Sequence, residues 1–186
     1  MNKMFRIFLI LGMISFSSCN EKFDYSPYSI NFSPENKNVN QKNIKKLNDR
    51  KRKDTITIAF TGDTHRFYDE FEKFVSKVNK DPSIDFVIHV GDLADFGMAK
   101  QYIWGNSMLA RLKIPYFVVA GNHDLITNGK AAYKEMYGPL NYSFICDSVK
   151  FVFINTNSRE FKYKEVPDIN WLNSQLHPDS DFLKAV

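Results

Sequence analysis

Residues 55–65 read TITIAFTGDTH, residues 85–92 read DFVIHVGD, and residues 116–124 read YFVVAGNHD. Each stretch begins as a run of β-branched and aromatic residues, which suits an extended chain packed on a buried surface. Each run then breaks at a glycine: Gly62, Gly91 and Gly121. Side chains able to bind cations follow directly: Asp63-Thr64-His65, then Asp92 with Asp95 close behind, then Asn122-His123-Asp124. Between the first two stretches, Phe67, Phe71, Phe74, Val75 and Val78 recur at helical spacing until Asp81-Pro82 ends the pattern. Between the second and third, Ala99 to Leu112 reads as a helix, and Pro115 precedes the last strand. Strand, helix, strand, helix, strand is the order of a parallel sheet with both faces covered, so the fold class is α/β. In such a sheet the loops after neighbouring strands lie side by side at their carboxyl ends. Residues one strand-helix-strand step apart are therefore expected to converge on one crevice.

Working toward the carboxyl end, Lys130–Tyr137 reads as a short helix. Tyr142–Cys146 and Lys150–Ile154 flank Asp147-Ser148, the pattern of an antiparallel hairpin. Pro167 to Leu176 reads as one more helix, with Asp168 placed to cap it, and Phe182–Val186 as the opening of another strand. Working toward the amino end, residues 20–54 are rich in Asn, Ser and Lys, with a basic run from Lys37 to Lys53. They read as a polar, solvated linker. In residues 1–19, Lys3 and Arg6 precede an apolar run, Ile7–Phe16, too short to span a bilayer and about the length of an export signal. The division expected is thus 1–19 signal, 20–54 linker and 55–186 folded domain.

Ser17-Ser18-Cys19 closes the signal and resembles the cleavage box of bacterial lipoproteins. The resemblance implies that Cys19 becomes the amino terminus and carries acyl chains, anchoring an exported domain to a membrane in the cell envelope. Two chains suffice for stable anchoring, because each buried methylene contributes roughly 0.8 kcal/mol. Cys146 then has no disulfide partner and reads as a small buried residue.

Composition bounds the remaining possibilities. A chain of 186 residues with 44% hydrophobic and 15% aromatic residues can build one domain with a real core. A mean hydropathy of -0.36 argues against a polytopic membrane protein. The net charge is only +4, so no nucleic-acid binding is expected. Oligomeric state is left open.

Two carboxylates, an imidazole and an amide carbonyl make a mixed oxygen and nitrogen ligand set, suited to Mn, Fe, Zn or Mg. Asp63 and His65 are spaced to reach one ion from a turn, and Asp92 has two oxygens with which to bridge two ions. Two such cations can hold a hydroxide at neutral pH and neutralise the oxygens of a phosphate ester that it attacks. Read from the residues alone, the strand-end acids also fit loops of some other α/β fold. Aspartyl-phosphate chemistry is disfavoured, because His65 stands where a second Asp would be, and a serine-hydrolase elbow is missing.

Asp-x-His, Gly-Asp and Gly-Asn-His-Asp, in this order and after successive strands, resemble the calcineurin-like metallophosphoesterase family. The likeness covers about Thr55 to Leu176. It implies a metallophosphoesterase-type β-sandwich flanked by helices, two divalent metal ions and a phosphate mono- or diester as substrate. It implies that Asp63 and His65 bind the first metal, that Asp92 bridges both, and that Asn122 binds the second. His123 would contact the phosphate or protonate the leaving oxygen, and Asp124 would hold the His123 ring.

The chain also departs from that pattern. The family completes its site with later histidines, one after a strand and a Gly-His-x-His pair after another. Neither occurs here: the four histidines are His65, His89, His123 and His177. His89 falls inside a strand and reads as a core residue or one supporting the ligands; His177 reads as a surface loop residue. The domain is accordingly expected to be incomplete, lacking its C-terminal part, and to have little activity alone. The alternative is an inactive metal- or partner-binding remnant.

Overall fold

The structure is a computed structural model that describes Ser26, residues 28–177 and residues 181–186. The stretch read as an export signal, residues 1–19 with Cys19, lies outside the described residues. Among those described, no helix is long and apolar enough to cross a membrane.

The three decisive stretches form β1 (Ile58–Thr61), β2 (Phe86–His89) and β3 (Tyr116–Val118), a parallel sheet in that order. Ala59 pairs with Val87, and Val87 with Tyr116. The crossovers carry α2 (Tyr68–Val78) and α3 (Ala99–Leu109), and α4 (Gly129–Tyr137) follows β3. Alternation along the strands splits the sheet's side chains between two cores. Val87 and Val118 pack with Phe71, Val75, Tyr102, Leu109 and Tyr133 from the helices. Phe86, Ile88 and Phe117 point the other way.

A second sheet covers that other face. β4 (Tyr142–Cys146) and β5 (Val149–Phe153) form the expected hairpin, and β6 (Lys184–Ala185) adds in parallel to β5. Phe144 and Phe151 meet Phe86 edge-on, with ring centroids 6.0 and 5.3 Å away, and Phe144 lies tilted against Phe117 at 4.3 Å. The architecture is therefore a two-sheet sandwich flanked by helices, as the resemblance implied, with α2, α3 and α4 packed on the outer face of the first sheet. Asp168 caps α5 (Ile169–Leu176) by accepting the Trp171 N–H at 2.9 Å.

The stretch read as a linker is the main correction. Val39–Asn48 forms a helix, α1, whose residues Val39, Asn40, Asn43 and Leu47 are buried. Asn40 carries the docking. Its amide donates to Val118 O at 3.0 Å and accepts Val118 N–H at 2.9 Å, so one side chain completes the open edge of β3 as a neighbouring strand would. Lysines on the outer face and two asparagines on the inner one hid the amphipathic pattern. The basic run beyond the helix is held as well: Arg50 pairs with Asp147, and Lys53 with the buried Asp85 at 2.7 Å.

Candidate metal centre

Parallel pairing brings the three glycine loops together at the carboxyl end of the first sheet. Asp63 N–H donates to Gly91 O at 3.0 Å, and His65 N–H to Asp92 O at 3.1 Å, tying the first loop to the second. His123 N–H donates to Asp92 Oδ1 at 2.9 Å, tying the third loop to the second. The approach is so close that only glycine fits at the junction. A methyl group at Gly121 would lie 2.1 Å from Asp92 Oδ1, and one at Gly91 would lie 2.8 Å from Gly121 Cα.

Within this frame, His65, Asp92 and His123 bring one ligand atom each to within 4.8 Å of one another. His65 Nε2 lies 3.9 Å from Asp92 Oδ2 and 3.8 Å from Asp63 Oδ1. Two donors each about 2.1 Å from one cation lie at most about 4.2 Å apart, so the two His65 separations suit a shared ion. Asp63, His65 and Asp92 all adopt positive φ, at 50°, 42° and 56°. Asp and His tolerate that region better than most residues, yet each such position costs on the order of 1–3 kcal/mol, a strain that gathers at functional sites. The donor chemistry, the spacing and the strain together fit a divalent cation.

The structure sorts the expected residues. His65 and Asp92 come together. Asp63 sits at the rim with its side chain 82% exposed. Asn122 is exposed at the start of the 3-10 turn His123–Leu125, and its amide has no hydrogen-bond partner among the described residues. His123, expected to act on the phosphate, also lies in the candidate ligand cluster. His177 is exposed after α5.

The expected role of Asp124 needs correcting. Its carboxylate is wholly buried and accepts N–H bonds from Ala94 at 2.8 Å, Gly121 at 2.9 Å and Leu93 at 3.3 Å. It braces the second loop against the third and does not hold the His123 ring. The tight turn His123–Leu125 sends adjacent side chains in different directions, which spacing in the sequence does not reveal. Burial pushes the Asp124 carboxyl up to about 6, although Ala94 and Gly121 stabilise its charged form.

Asp95 does what was expected of Asp124. The His123 Nδ1–H donates to Asp95 O at 2.9 Å, leaving Nε2 free. Asp95 Oδ1 also lies 3.3 Å from His65 Nδ1, off the line of a good hydrogen bond, and 3.6 Å from His123 Nδ1. The bond to Asp95 O raises the His123 pKa, and the nearby Asp92, Asp95 and Asp124 charges add to it. The signal for Asp95 was its place three residues after Asp92.

A parallel sheet with cation-binding loops at its carboxyl end defines a metal-centre α/β protein. Residues 56–182 match the calcineurin-like phosphoesterase family, and the chain belongs to it. A probable glycerophosphodiester phosphodiesterase of Arcobacter nitrofigilis is 35% identical over 57 residues, covering 31% of this chain and 21% of that protein. The purple acid phosphatase from yellow lupin (Lupinus luteus) seeds is 17% identical and covers 68% of this chain and 28% of its own, with a TM-score of 0.47. A protein of unknown function from Aquifex aeolicus is 14% identical and covers 71% and 89%, with a TM-score of 0.36. The chain thus spans about a fifth of the curated relative and about a quarter of the lupin enzyme.

Proposed function

We propose that this chain carries the first half of a metal-dependent phosphoesterase centre, which hydrolyses a phosphate mono- or diester. The supporting observation is the convergence of His65, Asp92 and His123 within 4.8 Å at the sheet's carboxyl end, in a chain of the phosphoesterase family. His65 and Asp92, with Asp63 at the rim, would hold one divalent cation; Asp92 and Asn122 are the candidates for a second. Bound cations of this kind neutralise phosphate oxygens and acidify a water. His123, with Nδ1 fixed on Asp95 and Nε2 free, is placed to give a proton to the leaving oxygen. Its membership in the cluster favours a second role, as a further ligand to the first cation.

With only a carboxylate and an amide for the second cation, these 186 residues alone should turn over slowly. Mn²⁺ titration followed by electron paramagnetic resonance, paired with p-nitrophenyl phosphate hydrolysis, tests this. One tight Mn²⁺ and weak, chelator-sensitive turnover are expected. No Mn²⁺ binding would overturn the metal reading, and turnover near an ordinary enzyme rate of about 10 per second would overturn the one-strong-site reading. His123→Ala separates the two roles of that residue: lost affinity marks a ligand, retained affinity with lost turnover marks a proton donor. We also propose export and lipid anchoring at Cys19, supported by the sequence of residues 1–19. Labelled palmitate incorporation that survives Cys19→Ser would refute the anchor.

A further inference from the structure

His89, read from the sequence as a core residue or one supporting the ligands, is a fully buried imidazole at the end of β2, and the proposed function does not use it. Its ring meets Phe71 of α2 edge-on at 5.6 Å. Its two nitrogens touch two different loops. Nε2 lies 2.7 Å from Thr64 Oγ1, the hydroxyl between Asp63 and His65. Nδ1 faces the Gly91 N–H at 3.4 Å, just before Asp92.

These contacts set the tautomer. Burial keeps the ring neutral, lowering its pKa to about 3, with the nearby His65 adding to the effect. A neutral imidazole carries one N–H. Nδ1 accepts from Gly91, so Nε2 bears the proton and donates to Thr64 Oγ1. The first loop has few other anchors among the described residues. Asp63 and His65 are strained on either side of Thr64, and they are held by single backbone bonds to Gly91 and Asp92.

We infer that His89 is a positioning residue: through Thr64 on one side and Gly91 on the other, its imidazole staples the Asp63–His65 turn to the Asp92 loop and so fixes the ligands at their shared spacing. The inference rests on the metal reading of the site, since it concerns how those ligands are held. Groups that support metal ligands from behind typically govern affinity by 10–100-fold, so removing the staple should act on binding without touching a ligand.

Thr64→Val removes only the hydroxyl and keeps the shape. It should weaken Mn²⁺ binding by about tenfold, while Thr64→Ser, which keeps the hydroxyl, should bind as the parent does. Nitrogen-15 spectra of the metal-free full chain should show His89 protonated at Nε2. Circular dichroism and thermal melting confirm that each variant is folded, and His89→Gln, whose amide can still donate to Thr64, supplies a second test and should retain part of the affinity. Parent-like Mn²⁺ binding by folded Thr64→Val would overturn the staple, as would a His89 protonated at Nδ1 or equal losses in Thr64→Val and Thr64→Ser. A parent chain that binds no Mn²⁺ overturns the metal reading instead, and the tautomer measured without metal still judges the staple.

Discussion

The β3 edge and the glycine loops are both held by side chains bonded to backbone, yet they use those bonds differently. At the edge, Asn40 bonds Val118 from an ordinary helix position, and both partners are relaxed. In the loops, Asp124, Asp92 and His89 hold a backbone in which Asp63, His65 and Asp92 sit at positive φ. One region adds to stability; the other consumes it to aim polar side chains at one point. The lesson is that strain and ligands belong together here, and that the stability offsetting them comes from elsewhere in the fold.

Substitutions should pull the two regions apart. The largest expected effect on stability is Asn40→Ala, which leaves the buried Val118 N–H unpaired and should cost about 3 kcal/mol in urea unfolding. Mn²⁺ affinity of the folded variant should not change. In the loops, Asp92→Asn keeps an acceptor for the His123 N–H but loses the charge, so Mn²⁺ affinity should fall about 100-fold while unfolding changes little. A variant that lowered both quantities together would erase the distinction.

The pH dependence sharpens it. His89 is neutral when folded, with a pKa near 3, but in the unfolded chain it titrates at its ordinary value of 6.5. The unfolded state therefore binds the extra proton, and stability is lost as pH falls from 6.5 toward 3. From pH 7 to pH 5 that loss is about 2 kcal/mol. Asp124 works the opposite way: its folded pKa of about 6 lies above 3.8, so the folded state gains stability as pH falls through that window. Comparing His89→Gln with the parent removes the Asp124 contribution, and the stability gap should move about 2 kcal/mol in favour of the variant between pH 7 and pH 5. A gap independent of pH would show that His89 is not buried neutral.

The smallest expected effect is at Asp63. Asp63→Gly relaxes one positive-φ position, so the chain should gain up to about 1 kcal/mol, read by thermal melting. Since Asp63 lies outside the cluster of His65, Asp92 and His123, its loss should weaken Mn²⁺ binding less than tenfold. A loss as large as that of Asp92→Asn would restore Asp63 to equal rank with the other ligands.

How much of this was legible beforehand differs between the same two regions. The loops were legible because their information is local: a strand, a glycine, then donors, repeated after each strand. The edge was not, because α1 buries asparagines, whose place in a core depends on a backbone partner 78 residues away. The support for the His123 ring was expected from Asp124 and comes from Asp95 for a related reason. Both are acids beside ligands in the sequence, and only the turn after Asn122 decides which one faces the histidine rings.

The sequence by itself determined the parallel sheet, the antiparallel hairpin that follows it, and the gathering of cation-binding residues at one end, since hydrophobic period and strand-end glycines dictate these directly. Tertiary structure alone decided which donors meet. Distances of a few ångströms between loops depend on backbone packing at Gly91 and Gly121, on the αL turns, and on buried side chains such as His89 and Asn40. Those contacts form only when segments far apart in the chain are pressed together.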